Sequence, residues 1–356
     1  MSSVLETTLG QIQPLDAQLA EQAQHHLDRL TKPPGSLGRL EELARRYVTI
    51  TGQMPPRISG KAVVVFAADH GVTAEGVSAY PQEVTAQMVL NFLHGGAAIN
   101  ALARQAGAAV HVVDIGVASE LPMLPGLTVR NVRRGTANIA KGPAMSRDEA
   151  QQALEIGIEM AARCHRDGAS LVATGDMGIG NTTPSSALVA LFTGASVVDV
   201  TGYGTGIDEA THTHKVAMIE AALRVNAPRA DDPLGALAAV GGLEIGGIAG
   251  LILGCASRRL PVLVDGHIAT AAALVAAAFN PLVKDYMIAS HASVEVGQHI
   301  AWQFMGQTPL MDLQLRLGEG TGAVLAMHLV ESAVRIYTDM ATFDQAGVSD
   351  RDTPAS

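Results

Sequence analysis

The sequence predicts an α/β fold: a mostly parallel sheet with helices on both faces, plus a small helical domain built from the N- and C-terminal segments. Two observations carry this. Five short β-branched or apolar runs, "KAVVVFAAD" (61–69), "AVHVVDIG" (109–116), "SLVATGD" (170–176), "LPVLVDG" (260–266) and "DYMIAS" (285–290), have helical patterns between most of them, and four of the five run into Asp or Gly. Continuous apolar strands of this kind belong to a parallel sheet buried on both faces. The second observation is composition. Apolar types make up 48% of the 356 residues and aromatics only 3%, so the core is built from Ala, Val, Leu, Ile and Met, which suits helices packed closely on a sheet.

The elements follow in order. "PLDAQLAEQAQHHLDRL" and "SLGRLEELARRYVTI" have helical periodicity on either side of the breaker "TKPPG". The five strands come next, with "LTVRNVRRG" (127–135) as a sixth. Beyond the last strand, "GTGAVLAMHLVESAVRIYTDMATF" reads as a long helix, its apolar positions recurring at three and four. Both chain ends are thus helical and are expected to pack together beside the sheet, while "DQAGVSDRDTPAS" reads as a disordered tail. The expected organisation is an N-terminal helical segment (1–58), an α/β unit (59–314), a glycine-rich loop with the C-terminal helix (315–342) and the tail (343–356). In parallel sheets ligands bind outside the carboxyl ends of the strands, where "ADHG", "DIG", "GDMGIG" and "DG" are expected to gather.

Charge and cysteine usage narrow the function. With 24 basic and 34 acidic residues the chain carries a formal charge of -10, which argues against a duplex-binding surface. An anionic substrate therefore needs a local basic or backbone N–H site. Cys164 and Cys255 are the only cysteines, each in an apolar helical stretch, so neither a disulfide framework nor a thiolate metal site is expected. The N-terminus has no basic region followed by an apolar core, and "IATAAALVAAAF" (268–279) is too short to span a bilayer. A soluble, cytoplasmic protein is expected.

Three motifs are placed for chemistry. "GDMGIGNTTPSSALVA" (175–190) follows a strand and enters a helix, with Pro184 suited to its first position. Glycines before a helix N-terminus offer free N–H groups to a phosphate, and Asn181, Thr182 and Thr183 add donors. The order G-x-x-G-x-G is neither a dinucleotide fingerprint nor a P-loop. "GYGTGIDEATHTHK" (202–215) is a second glycine-rich helix entry, with Asp208 as cap and Lys215 about two turns in, either returning to a phosphate or solvated on the surface. His212 and His214 diverge on a helix and do not share a metal. "LRLGEGTGAVLA" (315–326) sets one carboxylate, Glu319, between glycines. It is either presented to a ligand or placed to favour the dipole of the helix that follows. Asp69, His70 and Glu75 lie in the loop after the first strand, a favourable location that turn and cap residues also occupy. No zinc-hydrolase motif or nucleophile-elbow serine occurs.

Together, "KPPGSLGRLE" (32–41), "ADHGV" (68–72), "SAYPQEVTAQMV" (78–89), "GNTTP" (180–184) and "RLGEGTGA" (316–323) closely resemble, in this order, the nicotinate-nucleotide:dimethylbenzimidazole phosphoribosyltransferases of cobalamin biosynthesis, over roughly Gln11 to Met340. The resemblance implies a Rossmann-like sheet, a homodimer, and nicotinate mononucleotide and 5,6-dimethylbenzimidazole as substrates, with neither metal nor other cofactor required and no nucleic acid or membrane partner. It makes Glu319 the general base. It also implies that Gly178, Gly180, Asn181, Thr182, Gly204, Gly206 and Lys215 hold the phosphate and ribose. Tyr80, Gln87, Met88, Ser293 and Leu317 line the base pocket by the same matching. The family carries an acidic residue at the position of Asp176, more often glutamate, and a supporting electrostatic role near the ribosyl centre is expected of it. Two other readings fit the parallel sheet and glycine loops. A nicotinamide-dependent oxidoreductase is weakened by the missing fingerprint, and a nucleotide-binding sensor leaves Glu319 unexplained.

Overall fold

A computed structural model describes residues 3–204 and 206–349 of the chain. Three helices open it: α1 (Val4–Gln11), α2 (Ala17–Asp28) and α3 (Arg39–Thr51). Then come β1 (Lys61–Ala68), α4 (Val84–His94), α5 (Ala98–Ala106), β2 (Ala109–Gly116), β3 (Leu127–Val129), α6 (Arg147–Arg166) and β4 (Leu171–Met177). A helical stretch follows: α7 (Thr182–Thr193), α8 (Val197–Val200), α9 (Glu209–Asn226), α10 (Pro233–Val240) and α11 (Leu243–Ala256). The chain continues through β5 (Val262–Val264), α12 (His267–Phe279), β6 (Met287–Ala289), β7 (His291–Ser293), α13 (Val296–Met305), β8 (Met311–Leu315), α14 (Thr321–Asp339) and α15 (Phe343–Ala346).

Six strands form one parallel sheet in the order β3-β2-β1-β4-β5-β6, the Rossmann arrangement. Side chains alternate across it with period two, so one chain segment feeds two cores. Val64 and Phe66 of β1 join α1, α6, α7, α11 and α12 on one face. Val63, Val65 and Ala67 join α2, α3, α5 and α14 on the other. On that second face Leu27, Tyr47 and Tyr337 bring α2, α3 and the C-terminal half of α14 together, and their core continues onto the sheet. The loop between α2 and α3 is fixed by a buried ion pair, Lys32 Nζ to Glu41 Oε1 at 2.8 Å.

Several details depart from the sequence reading. The sixth strand, expected over 127–135, covers only Leu127–Val129. β7 and β8 form a separate two-stranded parallel sheet; no alternating pattern marks it in the sequence, because a bulge displaces Leu313 and Gln314 between paired residues. The disordered tail expected from residue 343 begins instead with α15, capped by the Thr342 hydroxyl accepting from Gln345 N. Residues 350–356 of that expected tail lie outside the described residues. α1, unread in the sequence, is closed by a Ser3–Glu6 capping box. No helix among the described residues is long and apolar enough to cross a membrane.

Candidate active site

The chain leaves β1 towards β2 on one side and returns to β4 on the other, so the strand order reverses between β1 and β4. Loops from both strand ends splay apart there and leave a crevice. Asp69 and His70 end β1, Asp176 and Gly178 end β4, and Asp265 and Gly266 end β5. The four strand-end motifs singled out in the sequence lie along this carboxyl edge.

Glu319 is set into the crevice by an unusual backbone. Gly318, Glu319 and Gly320 all have positive φ, at +87°, +62° and +94°. A glutamate in the left-handed region costs about 1–2 kcal/mol, and close contact with β4 holds it there. A Cβ on Gly175 would lie 2.6 Å from the Glu319 carbonyl, and one on Gly320 would lie 2.9 Å from that of Thr174. Glu319 N also donates to the Asp176 carbonyl (3.2 Å). The carboxylate, only 5% exposed, accepts from Ile99 N at 3.1 Å, at the N-terminus of α5. Burial pushes its pKa up, the Ile99 N–H opposes this, and the Asp265 charge adds to the rise. Glu319 therefore does not serve its own helix; Asp265 does, accepting from Gly320 N (3.1 Å) and Ala323 N (2.9 Å) at the start of α14.

Around it lies a buried acidic cluster. Asp176 accepts from Asn181 Nδ2 through Oδ2 (3.0 Å), while its Oδ1 is buried without a partner. Burial, then the nearby Asp265 and Glu244 carboxylates, raise its pKa well above the carboxylate range. Asp265 lies 3.8 Å from His291 Nδ1. Behind Gly178, His70 Nε2 meets Glu244 Oε1 at 2.6 Å, both fully buried.

A cleft opens from Asp176 and Gly318 towards the start of α12. Lys215, 1% exposed, enters it from α9 and donates to Thr182 Oγ1 at 2.8 Å and to the Gly202 carbonyl at 3.4 Å. Burial lowers its pKa to about 8, with Glu295 opposing. Glu295 accepts from Gly204 N (2.8 Å) through Oε1 and leaves Oε2 without a partner. Ser293 Oγ donates to the Leu315 carbonyl (3.2 Å) on the same wall. His267, at the N-terminus of α12, is lowered by burial to about 4 and is neutral. Ser186 Oγ donates to the Val200 carbonyl and so receives His267 Nε2–H at 3.2 Å, leaving Nδ1 a buried acceptor with no partner. Among the described residues, no three His, Cys, Asp or Glu side chains are disposed to hold a metal ion.

A family model described as phosphoribosyltransferase matches residues 12–348. The nicotinate-nucleotide–dimethylbenzimidazole phosphoribosyltransferase of Geobacter sulfurreducens is 59% identical over 350 residues, 98% of this chain and 99% of the relative. The chain belongs to this phosphoribosyltransferase family. The enzyme of the same name from Chloroflexus aggregans is 56% identical over 349 residues, 98% of this chain and 99% of the relative. The crystal structure of CobT from Thermus thermophilus superposes with a TM-score of 0.90 at 50% identity, covering 93% of this chain and 99% of that one.

Within this family fold the residues named from sequence fall into two groups. Asp176, Asn181, Thr182, Gly204, Ser293 and Leu317 line the one cleft, and Lys215 reaches it through Thr182. Gly178 and Gly180 form the loop beneath it, and Gly206 faces Arg316 across its rim. Tyr80, Gln87 and Met88 do not line this cleft. Tyr80 is 53% exposed, Gln87 is exposed, and Met88 packs against the second core. Their segment touches the site through Thr85, whose Oγ1 accepts from Ile179 N (3.0 Å). Pro184 is the third residue of α7, not the first, since the helix starts at Thr182. Asp208 caps α9 as expected, accepting from Thr211 N (2.8 Å). His212 and His214 turn to different carbonyls, those of Thr201 and Glu75. Sequence reasoning missed Asp265, His267, His291 and Glu295. The signal for Asp265 was its place in "VDG" at a strand end; the others sit in stretches with no motif of their own.

Proposed function

We propose that the protein transfers the phosphoribosyl group of nicotinate mononucleotide to 5,6-dimethylbenzimidazole, giving α-ribazole 5′-phosphate and nicotinate with inversion at C1′. The observation that carries this is the Glu319 loop: one carboxylate, buried, raised in pKa and fixed at the strand-order reversal, in a chain of this family. A sensor has no use for a strained buried base, and an oxidoreductase would need the dinucleotide fingerprint that the glycine loops lack.

The reaction is a displacement. One benzimidazole nitrogen attacks C1′ and forms the new C–N bond while the bond from C1′ to the nicotinate nitrogen breaks. The bonding pair returns to that nitrogen, which was cationic and leaves as a neutral pyridine. No Lewis acid is needed to neutralise the leaving group. Glu319 takes the proton from the other benzimidazole nitrogen, and its raised pKa makes it a better acceptor than an exposed carboxylate. Such general-base assistance is worth ~10²–10⁴-fold, and alignment of two bound substrates supplies more. Attack opposite the leaving group turns a β- into an α-glycoside.

Lys215, Thr182 and Asn181, with the loops at Gly178, Gly180, Gly204 and Gly206, hold the phosphate and ribose. Ser293, expected at the base pocket, joins this group because it shares their cleft. Leu317 and the segment carrying Tyr80, Gln87 and Met88 remain for the base. Asp176, well above the usual carboxylate range, acts as an uncharged acid whose free Oδ1 bonds a ribose hydroxyl, in place of the electrostatic role expected from sequence. A homodimer is the working form, supported by exposed Val294, Val296, Leu313 and Leu317 near the site mouth. A reducing cytoplasm suits the two buried thiols, Cys164 and Cys255. The test is to mix protein, nicotinate mononucleotide and 5,6-dimethylbenzimidazole in chelator-treated buffer and separate the products by chromatography and mass. Equal amounts of nicotinate and riboside phosphate are expected; nicotinate alone would mean hydrolysis and contradict the reading.

A further inference from the structure

The cleft holds too little positive charge for the ligand it is proposed to take. Lys215 is its one buried cation, and Glu295 faces it with an oxygen that nothing else satisfies. These two charges cancel. A phosphate monoester brings about −1.5 to −2 at neutral pH, and the α12 N-terminus offsets only about half a charge. The chain as a whole is acidic, at -10, so the deficit must be met locally.

Arg316 meets it. It lies on the cleft rim, three residues before Glu319. Among the described residues it has neither a carboxylate partner within 4.0 Å nor a hydrogen bond, which sets it apart from the arginines committed elsewhere, such as Arg46, Arg147 and Arg259. Its Nη1 lies 3.7 Å from where a Cβ on Gly206 would sit, so the side chain spans the mouth from the glutamate loop to the glycine loop beside Lys215. We propose that Arg316 closes over the 5′-phosphate opposite Lys215 and makes the enzyme select a nucleotide over the corresponding riboside. This rests on the proposed transferase reading. A guanidinium suits the task because its fork bonds two phosphate oxygens at once, which an ammonium does not.

The test compares nicotinate mononucleotide with nicotinate riboside as donor to 5,6-dimethylbenzimidazole, using wild type, Arg316→Ala and Arg316→Lys. Wild-type turnover of the nucleotide is the control for the transferase reading, and its failure would count against that reading alone. With wild type active, Arg316→Ala is expected to lose about 10- to 100-fold in kcat/KM for the nucleotide, mainly through KM. The riboside should change less than about twofold, with Arg316→Lys intermediate. If riboside turnover is too slow to follow, dissociation constants of the two donors by calorimetry give the same ratio. Equal losses on both donors would assign Arg316 a structural role and overturn the proposal, as would nucleotide kinetics unchanged from wild type.

Discussion

Glu319 stands in a backbone conformation that side-chain-bearing residues avoid, with a glycine on each side in the same region. Those glycines let the chain turn twice within three residues, which aims the carboxylate at α5 instead of along its own helix. Replacing it by Gln keeps size and polarity and removes the proton acceptor. Glu319→Gln should therefore bind nucleotide normally by calorimetry yet turn over at least about a hundredfold more slowly; a wild-type rate would remove Glu319 as the base. Two groups also set the pH dependence of kcat/KM. Activity should fall on the acid side below a value above the usual carboxylate range, because Glu319 must be ionised to accept a proton and burial raises its pKa. On the alkaline side it should fall near pH 8, as Lys215 loses its charge. A profile flat across both regions would refute these assignments. The sequence singled out both residues, but only the fold shows that Lys215 is buried, since a lysine two turns into a helix is ordinarily solvated.

Among the elements, the site depends on the glutamate loop being wedged against the end of β4. Gly175 is the contact, with no room for even one methyl group before the Glu319 carbonyl. Gly175→Ala is expected to displace the loop and lower kcat by about tenfold or more, since misplacement of about 1 Å can cost 10²-fold. Nucleotide affinity, set by α7, α9 and α12, should stay within about threefold. An unchanged kcat would show that the loop tolerates the shift. The strands and helices behind these contacts were legible because their apolar periods are long and regular, as in "KAVVVFAAD" and the α14 stretch. β7 and β8 were not, being short, bulged and largely exposed on β8. Asp265, the cap of α14, was hidden because its partners lie more than fifty residues downstream.

Over the whole molecule, two cores clamp one sheet, and that surplus of burial carries a cluster of carboxyls at the carboxyl edge. Burial raises the pKa of Asp69, Asp176, Asp265 and Glu319 alike. For Asp176 the folded state keeps a proton that the unfolded chain loses near pH 4. Its stabilising contribution is complete below that value and is lost as pH rises through the folded pKa. Asp176→Asn, which cannot ionise, should raise Tm by roughly 1–3 °C at pH 8 with little change near pH 4, while lowering turnover. A lower Tm at pH 8 would show that the carboxylate is compensated in some other way. Fold class and the cleft residues from Asn181 to Lys215 could be read from motifs that end strands or open helices. The base pocket could not, since Tyr80, Gln87 and Met88 lie on a segment outside the cleft. Every role assigned above serves a single in-line displacement between two bound substrates. The anomeric configuration of the riboside phosphate, read by NMR on the product of wild-type turnover in chelator-treated buffer, decides whether that displacement occurs. The α anomer alone is predicted; the β anomer, or a mixture, would contradict it.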